Sequence, residues 1–176
     1  MIQENKFNIK SYFNTLMSLL SSPGSFFSGI QGNVDVKQAL GFLLVSSVFY
    51  TCASLVTEFP SNPAIRGGVY LLNCIGMVFI FSASAYLIMR LIIDKPISFT
   101  ELFAVYALAS GLTLISSWIP VFTVLTEPWR CWVVWVGMTK GFGFKKKHAA
   151  VIVIVSHILV IIFFKSLMPL IDFYKG

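Results

Sequence analysis

"SSWIPVFTVLTEPWRCWVVWVGMTKGFGFKKKH", residues 116–148, holds two prolines, an acid and a base three apart, and a lysine cluster. How it is read decides how the apolar segments on either side are counted. The uncharged run that enters it starts at Leu102 and reaches Thr126. That is more than the roughly 20 helical residues that cover about 30 Å of hydrocarbon. Pro120 interrupts the run, because proline lacks the backbone donor and clashes with the preceding turn. Two helices are therefore expected, over about 101–119 and 121–140. The second carries Glu127, Pro128 and Arg130, the weakest apolar pattern in the chain. Glu127 and Arg130 share a helical face, so they are expected to pair or to sit near a water boundary.

Composition sets the context for these helices. Of 176 residues, 57% are hydrophobic and 11% charged, too little polar material to cover a water-soluble core. Three more apolar runs, 39–57, 67–89 and 149–171, complete the pattern of an all-α integral membrane protein. His157 stands in the middle of the last run and Lys165 near its end. A break at Pro120 gives five spans, about 38–57, 67–91, 101–119, 121–140 and 149–171.

Charge placement supports five spans over four, since Lys and Arg near span ends gather on the cytoplasmic side. With five, Lys6, Lys10, Lys37, Arg90, Lys95, Lys140, Lys145, Lys146 and Lys147 fall on one side, against Arg66, Arg130, Lys165 and Lys175 on the other. With four, the lysine cluster changes sides and the bias disappears. The expectation is a multi-pass protein of the bacterial inner membrane, with its N-terminus cytoplasmic and its C-terminus outside. The net charge of +6 is then accounted for by topology, and no nucleic-acid partner is expected. Lys145, Lys146 and Lys147 are candidate contacts for anionic headgroups, with Phe142 and Phe144 at headgroup depth and Gly141 and Gly143 turning the chain.

Residues 1–37 form a separate segment. Tyr12, Phe13, Leu16, Leu19 and Leu20 recur at spacings near three and four, opposite Lys10, Asn14 and Ser18, which predicts an N-terminal amphipathic helix rather than a cleaved signal peptide. Two placements stay open, in the membrane interface or against the cytoplasmic end of the bundle. Ser22 and Pro23 start a second short helix, whose Phe26, Phe27 and Ile30 are expected to face acyl chains.

Within the spans, small residues mark where helices approach closely, because lipid offers little hydrophobic drive for association. Ser47, Thr51 and Ser54 form one such stripe, and Ala104, Ala107 and Gly111 another, with Gly76, Ala83 and Ser84 as small sites between them. Cys52, Cys74 and Cys131 lie in apolar runs without metal-site or disulfide spacing and are expected to be buried thiols.

A search for chemistry finds little. "KGFGFKKKHA" has no preceding strand and no hydroxyl after its lysine, so it is not a phosphate loop. The two histidines are nine apart without a glutamate between them, and no metal site or cofactor is expected. His157, Glu127 and Arg130 remain as candidate functional polar residues in the membrane. The bland reading of His157 is an imidazole bonded to a Ser or Thr of a neighbouring span.

The order of features, from "SSPGSFFSGI" through Arg90, "ISFTELFAVYALASG", "SSWIP" and "WVGMTKGFGF" to a last aliphatic span, resembles the Yip family of Ypt/Rab-interacting membrane proteins in its short prokaryotic form. The resemblance implies a five-span bundle with a cytosolic N-terminus and, for eukaryotic members, trafficking roles with small GTPases. With only about 37 residues before the first span, GTPase binding is not carried over to this chain. The expected function is non-catalytic, an interaction or scaffold role through membrane lipids, another membrane protein or self-association. The alternatives are a small transporter or its accessory subunit, and then a lipid enzyme.

Overall fold

The computed structural model describes residues 8–30, 35–93 and 97–175, with side chains throughout except at 120, 123 and 167–175. Two short helices, α1 (Ile9–Ser21) and α2 (Pro23–Ile30), precede the long ones. These are α3 (Val36–Glu58), α4 (Pro63–Ile92), α5 (Phe99–Ser117), α6 (Pro120–Val136) and α7 (Lys146–Lys175). A π-helical turn, Gly137–Gly141, continues α6. Among the described residues, α3, α4, α5 and the 146–166 part of α7 are long and apolar enough to cross a membrane.

Local chemistry explains where the helices begin and end. Asp35 caps α3 by accepting hydrogen bonds from the backbone of Lys37 at 2.9 Å and Gln38 at 3.4 Å. Phe59, left-handed at φ 43°, ends that helix, and Asn62 with Pro63 starts the next within a few residues. At α5, Ser98 and Glu101 form a reciprocal capping box, with Glu101 accepting from the Ser98 amide at 2.8 Å. Pro120 opens α6 where the sequence places the break. Gly143, at φ +69°, turns the chain into α7 in a conformation that a side chain would strain.

The helices α3 and α5 lie closest together, with α4 against both and α6 beside α5. The last helix packs on α4 and α6. The first two helices cover one end of this bundle. There Tyr12 Oη lies 3.1 Å from Ser46 Oγ, and the Gln38 amide donates to Ser11 Oγ at 3.0 Å. Phe27 lies against Gly137 and Gly141. The indole of Trp135 donates to the carbonyl of Lys146 at 3.1 Å, which brings the start of α7 to the same end. Arg90 closes α4 there, its guanidinium 5.6 Å from the Tyr86 ring centroid, and Tyr86 meets Phe99 at the start of α5.

This end therefore collects Lys10, Lys37, Arg90, Lys140, Lys145, Lys146 and Lys147. Arg66 and Lys165 lie toward the other end, and Arg130 lies midway along the helical path from 120 to 141. Lys6 and Lys95 are outside the described residues, as is the side chain of Lys175.

Several details differ from the sequence-based expectations. Phe27 does not face acyl chains. It is fully buried, filling the space left by the missing side chains of Gly137 and Gly141. The apolar face of α1 divides: Tyr12 and Leu19, with Thr15, pack on the bundle, while Ile9, Phe13, Met17 and Leu20 form an exposed stripe. Helical spacing makes this possible, because the two rows lie along adjacent edges of one broad apolar face. Cys52 is exposed rather than buried, and Cys131 is intermediate. Gly76 has open space where its side chain would be, so it does not mark a helix contact.

Candidate functional site

Pro128 lies inside α6 between Glu127 and Arg130, and the helical turn around it brings these two side chains together. Arg130 Nη2 donates to Glu127 Oε2 at 2.5 Å. The two ends of the pair differ in environment. The Glu127 side chain is 51% exposed, that of Arg130 only 13%. Arg130 reaches inward until its guanidinium carbon sits 4.7 Å from the centroid of the Phe81 ring on α4. A desolvated cation over an aromatic ring gains about 2 kcal/mol, which offsets part of the cost of burial. Its Nε is buried without a hydrogen-bond partner among the described residues.

His157 meets the same ring from α7, with centroids 4.5 Å apart. Its Nδ1 lies 2.7 Å from the Val153 carbonyl, which only accepts, so Nδ1 carries the proton. In the uncharged ring Nε2 is then the acceptor, facing Cys131 Sγ at 3.2 Å. The partner of His157 on the neighbouring helix is thus a thiol and not a Ser or Thr hydroxyl. His157, Glu127 and Arg130 form one cluster, joined by two residues that gave no signal of their own in the sequence, Phe81 and Cys131.

Beside this cluster lies a cavity of about 310 Å³. Glu127 and Arg130 of α6, Ser110, Thr113 and Ser117 of α5, Asn73 of α4 and Tyr50 of α3 supply its polar lining. Cys74, Met77, Val78, Phe81 and Leu114 supply the apolar part. Asn73 is exposed on a helix otherwise apolar enough to cross a membrane, and its amide has no hydrogen bond among the described residues. The cavity exists because α4 and α6 do not pack directly on one another among the described residues. The Phe81 ring and the Arg130 side chain span the gap.

The other sequence candidates lie elsewhere. Lys145, Lys146 and Lys147 are exposed at the far end, away from the cavity. Ser47, Thr51 and Ser54 on α3 and Ala104, Ala107 and Gly111 on α5 are all buried. Gly111 lies directly under Phe42, so the α3–α5 approach depends on its missing side chain. The hydroxyl of Thr51 has no hydrogen-bond partner among the described residues. Among the described residues no group of three or more His, Cys, Asp or Glu side chains is placed to hold a metal.

An all-helical chain with several helices of membrane-crossing length and an apolar outer surface is a multi-pass membrane protein. A family model described as Yip1 domain matches residues 17–168. The chain belongs to the Yip1-domain family, and the match takes in the last turn of α1, all of α2 to α6, and α7 as far as residue 168. Comparison with curated proteins and with solved structures finds no match.

Proposed function

We propose that this protein is a non-catalytic, five-span membrane interaction protein with its N-terminus in the cytoplasm, and that its working surface is the end covered by α1 and α2. The fifth span in this reading is α6 with its π turn, an unbroken helical path over 120–141. One observation carries the proposal. Seven basic residues and an exposed stripe of Ile9, Phe13, Met17 and Leu20 occur at the same end of the bundle.

Basic residues beside an apolar helix edge suit an interface rich in anionic lipid, where each Lys or Arg contributes about 1 kcal/mol and the edge enters the acyl boundary. The same stripe suits a second membrane protein docking from the cytoplasmic side. A polar groove of about 330 Å³ under α1, lined by Asn8, Lys10, Ser11, Asn14, Thr15 and Gln38 among others, adds hydrogen-bonding groups to this surface. Transport is less well supported. Between the cavity and the basic end Ala85, Ile88, Met89, Leu102, Val105 and Leu108 are buried and apolar, interspersed with a few buried hydroxyls such as Ser84 and Tyr106.

The test is purification of the full chain in gentle detergent from its own membrane, comparing wild type with Phe13→Ser/Met17→Ser. A stoichiometric protein or anionic lipid that accompanies the wild type and is lost from the variant supports the reading. A variant that retains everything the wild type retains defeats it. Flux into proteoliposomes that disappears on Glu127→Gln would instead support transport.

A further inference from the structure

The geometry points to the cavity between α4, α5 and α6 as a binding site for a phosphate-ester headgroup that also bears an ammonium, with Arg130 holding the phosphate and Glu127 the ammonium. Arg130 carries five N–H donors, and its ion pair with Glu127 engages Nη2. The two Nη1 donors make no hydrogen bond among the described residues, and the side chain lines the cavity. A guanidinium in a poorly solvated cavity is costly when its donors are unpaired, and an anionic oxygen against Nη1 would satisfy them. Tyr50, Asn73 and Ser110 line the same cavity and bring neutral donors for the remaining phosphate oxygens.

Charge sets the rest of the chemistry. Arg130 is already neutralised by Glu127, so a simple anion would leave the site with a net negative charge in a poorly solvated place. A zwitterion keeps the balance. Glu127 uses Oε2 for Arg130 and has Oε1 free for an ammonium, on a side chain more than half exposed at the cavity edge.

Size and access agree with this assignment. About 310 Å³ is at the lower end of ligand pockets, enough for a headgroup and not for acyl chains. Because α4 and α6 do not pack on each other among the described residues, the cavity lacks a backbone wall on that side. Exposed Val69 and Leu72 on α4 and Val124 and Leu125 on α6 belong to the apolar surface that acyl chains would follow.

The experiment titrates the purified full chain with phosphatidylethanolamine and counts bound lipid by mass spectrometry of the intact assembly. All measurements are made with Lys145, Lys146 and Lys147 changed to Gln, so that the basic end does not contribute. Arg130→Gln should weaken binding at least about tenfold, the loss of a charge-assisted contact. Glu127→Gln should remove the preference over phosphatidylglycerol, which lacks the ammonium. Ser110→Leu, which fills the cavity and leaves both charges in place, should also expel the lipid. Glycerophosphoethanolamine, the headgroup without acyl chains, separates the sources. Competition at similar concentration assigns the site to a water-soluble phosphate ester, and failure to compete assigns it to lipid, with the phosphate on Arg130 in both cases. Binding at wild-type strength in both Arg130→Gln and Ser110→Leu overturns the proposal. If Arg130→Gln does not fold, Asn73→Leu at its exposed position replaces it, with several-fold weaker binding expected and unchanged binding counting against the site.

Discussion

Substituting Gly111 with alanine tests the packing that holds α3 to α5. A side-chain carbon added at Gly111 would stand 2.7 Å from Phe42 Cδ1, 2.9 Å from Cε1 and 3.4 Å from the backbone Cα of Leu43. Carbon atoms in contact prefer about 3.5–4.0 Å, so the new methyl group and the ring overlap by close to 1 Å. The ring has little room to yield. Phe42 is fully buried, and on its other side it meets Tyr12 with centroids 4.9 Å apart. Relief must come from separating the two helices or from driving Phe42 off its rotamer, and overpacking of this kind costs about 1–3 kcal/mol.

Alanine is intrinsically better than glycine in a helix by about 1 kcal/mol, which offsets part of that loss. The net expectation is a destabilisation of up to about 2 kcal/mol, or a fall in Tm of up to about 8 °C for a chain of this size. Thermal unfolding in detergent, followed by tryptophan fluorescence, measures it. Gly76→Ala is the control, because nothing lies within 4 Å of the added carbon there, and it should be neutral or slightly stabilising. Phe42→Leu in the Gly111→Ala background should recover stability relative to the sum of the two single changes. The reasoning is refuted if Gly111→Ala melts no lower than Gly76→Ala, or if the double change is simply additive.

Other expectations follow from the same geometry. Cysteines placed at Ser61 and at Lys146, each in a chain without its native cysteines, should react with an impermeant thiol reagent from opposite sides of the membrane; labelling from one side would require an even number of crossings between them. Ser98→Ala removes one half of the capping box at α5 and should cost about 1 kcal/mol in Tm-based stability, with a Ser98→Asp change recovering most of it. His157→Leu breaks the contact with Cys131 and should cost about 0.6 kcal/mol, the typical strength of a side-chain bond between membrane helices; a loss several times larger would show that His157 also holds α7 through Phe81.

The long helices were legible because their signals are local and redundant. Uncharged length and the Pro120 break act within one or two turns, and the break appears where the sequence places it. What the sequence left open depends on contacts far apart in the chain. The apolar face of α1 is plain from periodicity, but which edge meets the bundle is decided by Ser46 and Gln38, more than 20 residues away. Phe27 reads as a lipid-facing aromatic until Gly137 and Gly141 are brought beside it. The π turn has no strong local signature either. Its Thr139 hydroxyl bonds back to the carbonyls of Trp135 and Val136, a pattern that ordinary helices share. His157, Glu127 and Arg130 stood out as polar residues in apolar runs, whereas Phe81, the ring that joins them, is one aromatic among 17 phenylalanines.

That ring also gives a physical reason for the unequal packing of α7. Near its start the helix is held by Ala149, Ile152, Val153 and Ser156, all buried, and Tyr106 Oη lies 3.4 Å from Ser156 Oγ. Beyond His157, among the described side chains, only Val160 is buried, while Ile161, Ile162, Phe163 and Phe164 are exposed. The change falls at the level where Phe81 and Arg130 occupy the space between α4 and α6. The backbones of α4 and α6 do not approach closely at any level among the described residues, so at this level α7 rests on a side-chain bridge between them, Arg130 over the Phe81 ring. The same bridge lines the cavity on one side and meets His157 of α7 on the other. Replacing Arg130 with a smaller apolar residue should close the gap and bury more of α7 beyond residue 160, measurable as slower hydrogen exchange in that segment; unchanged exchange would remove Arg130 as the cause.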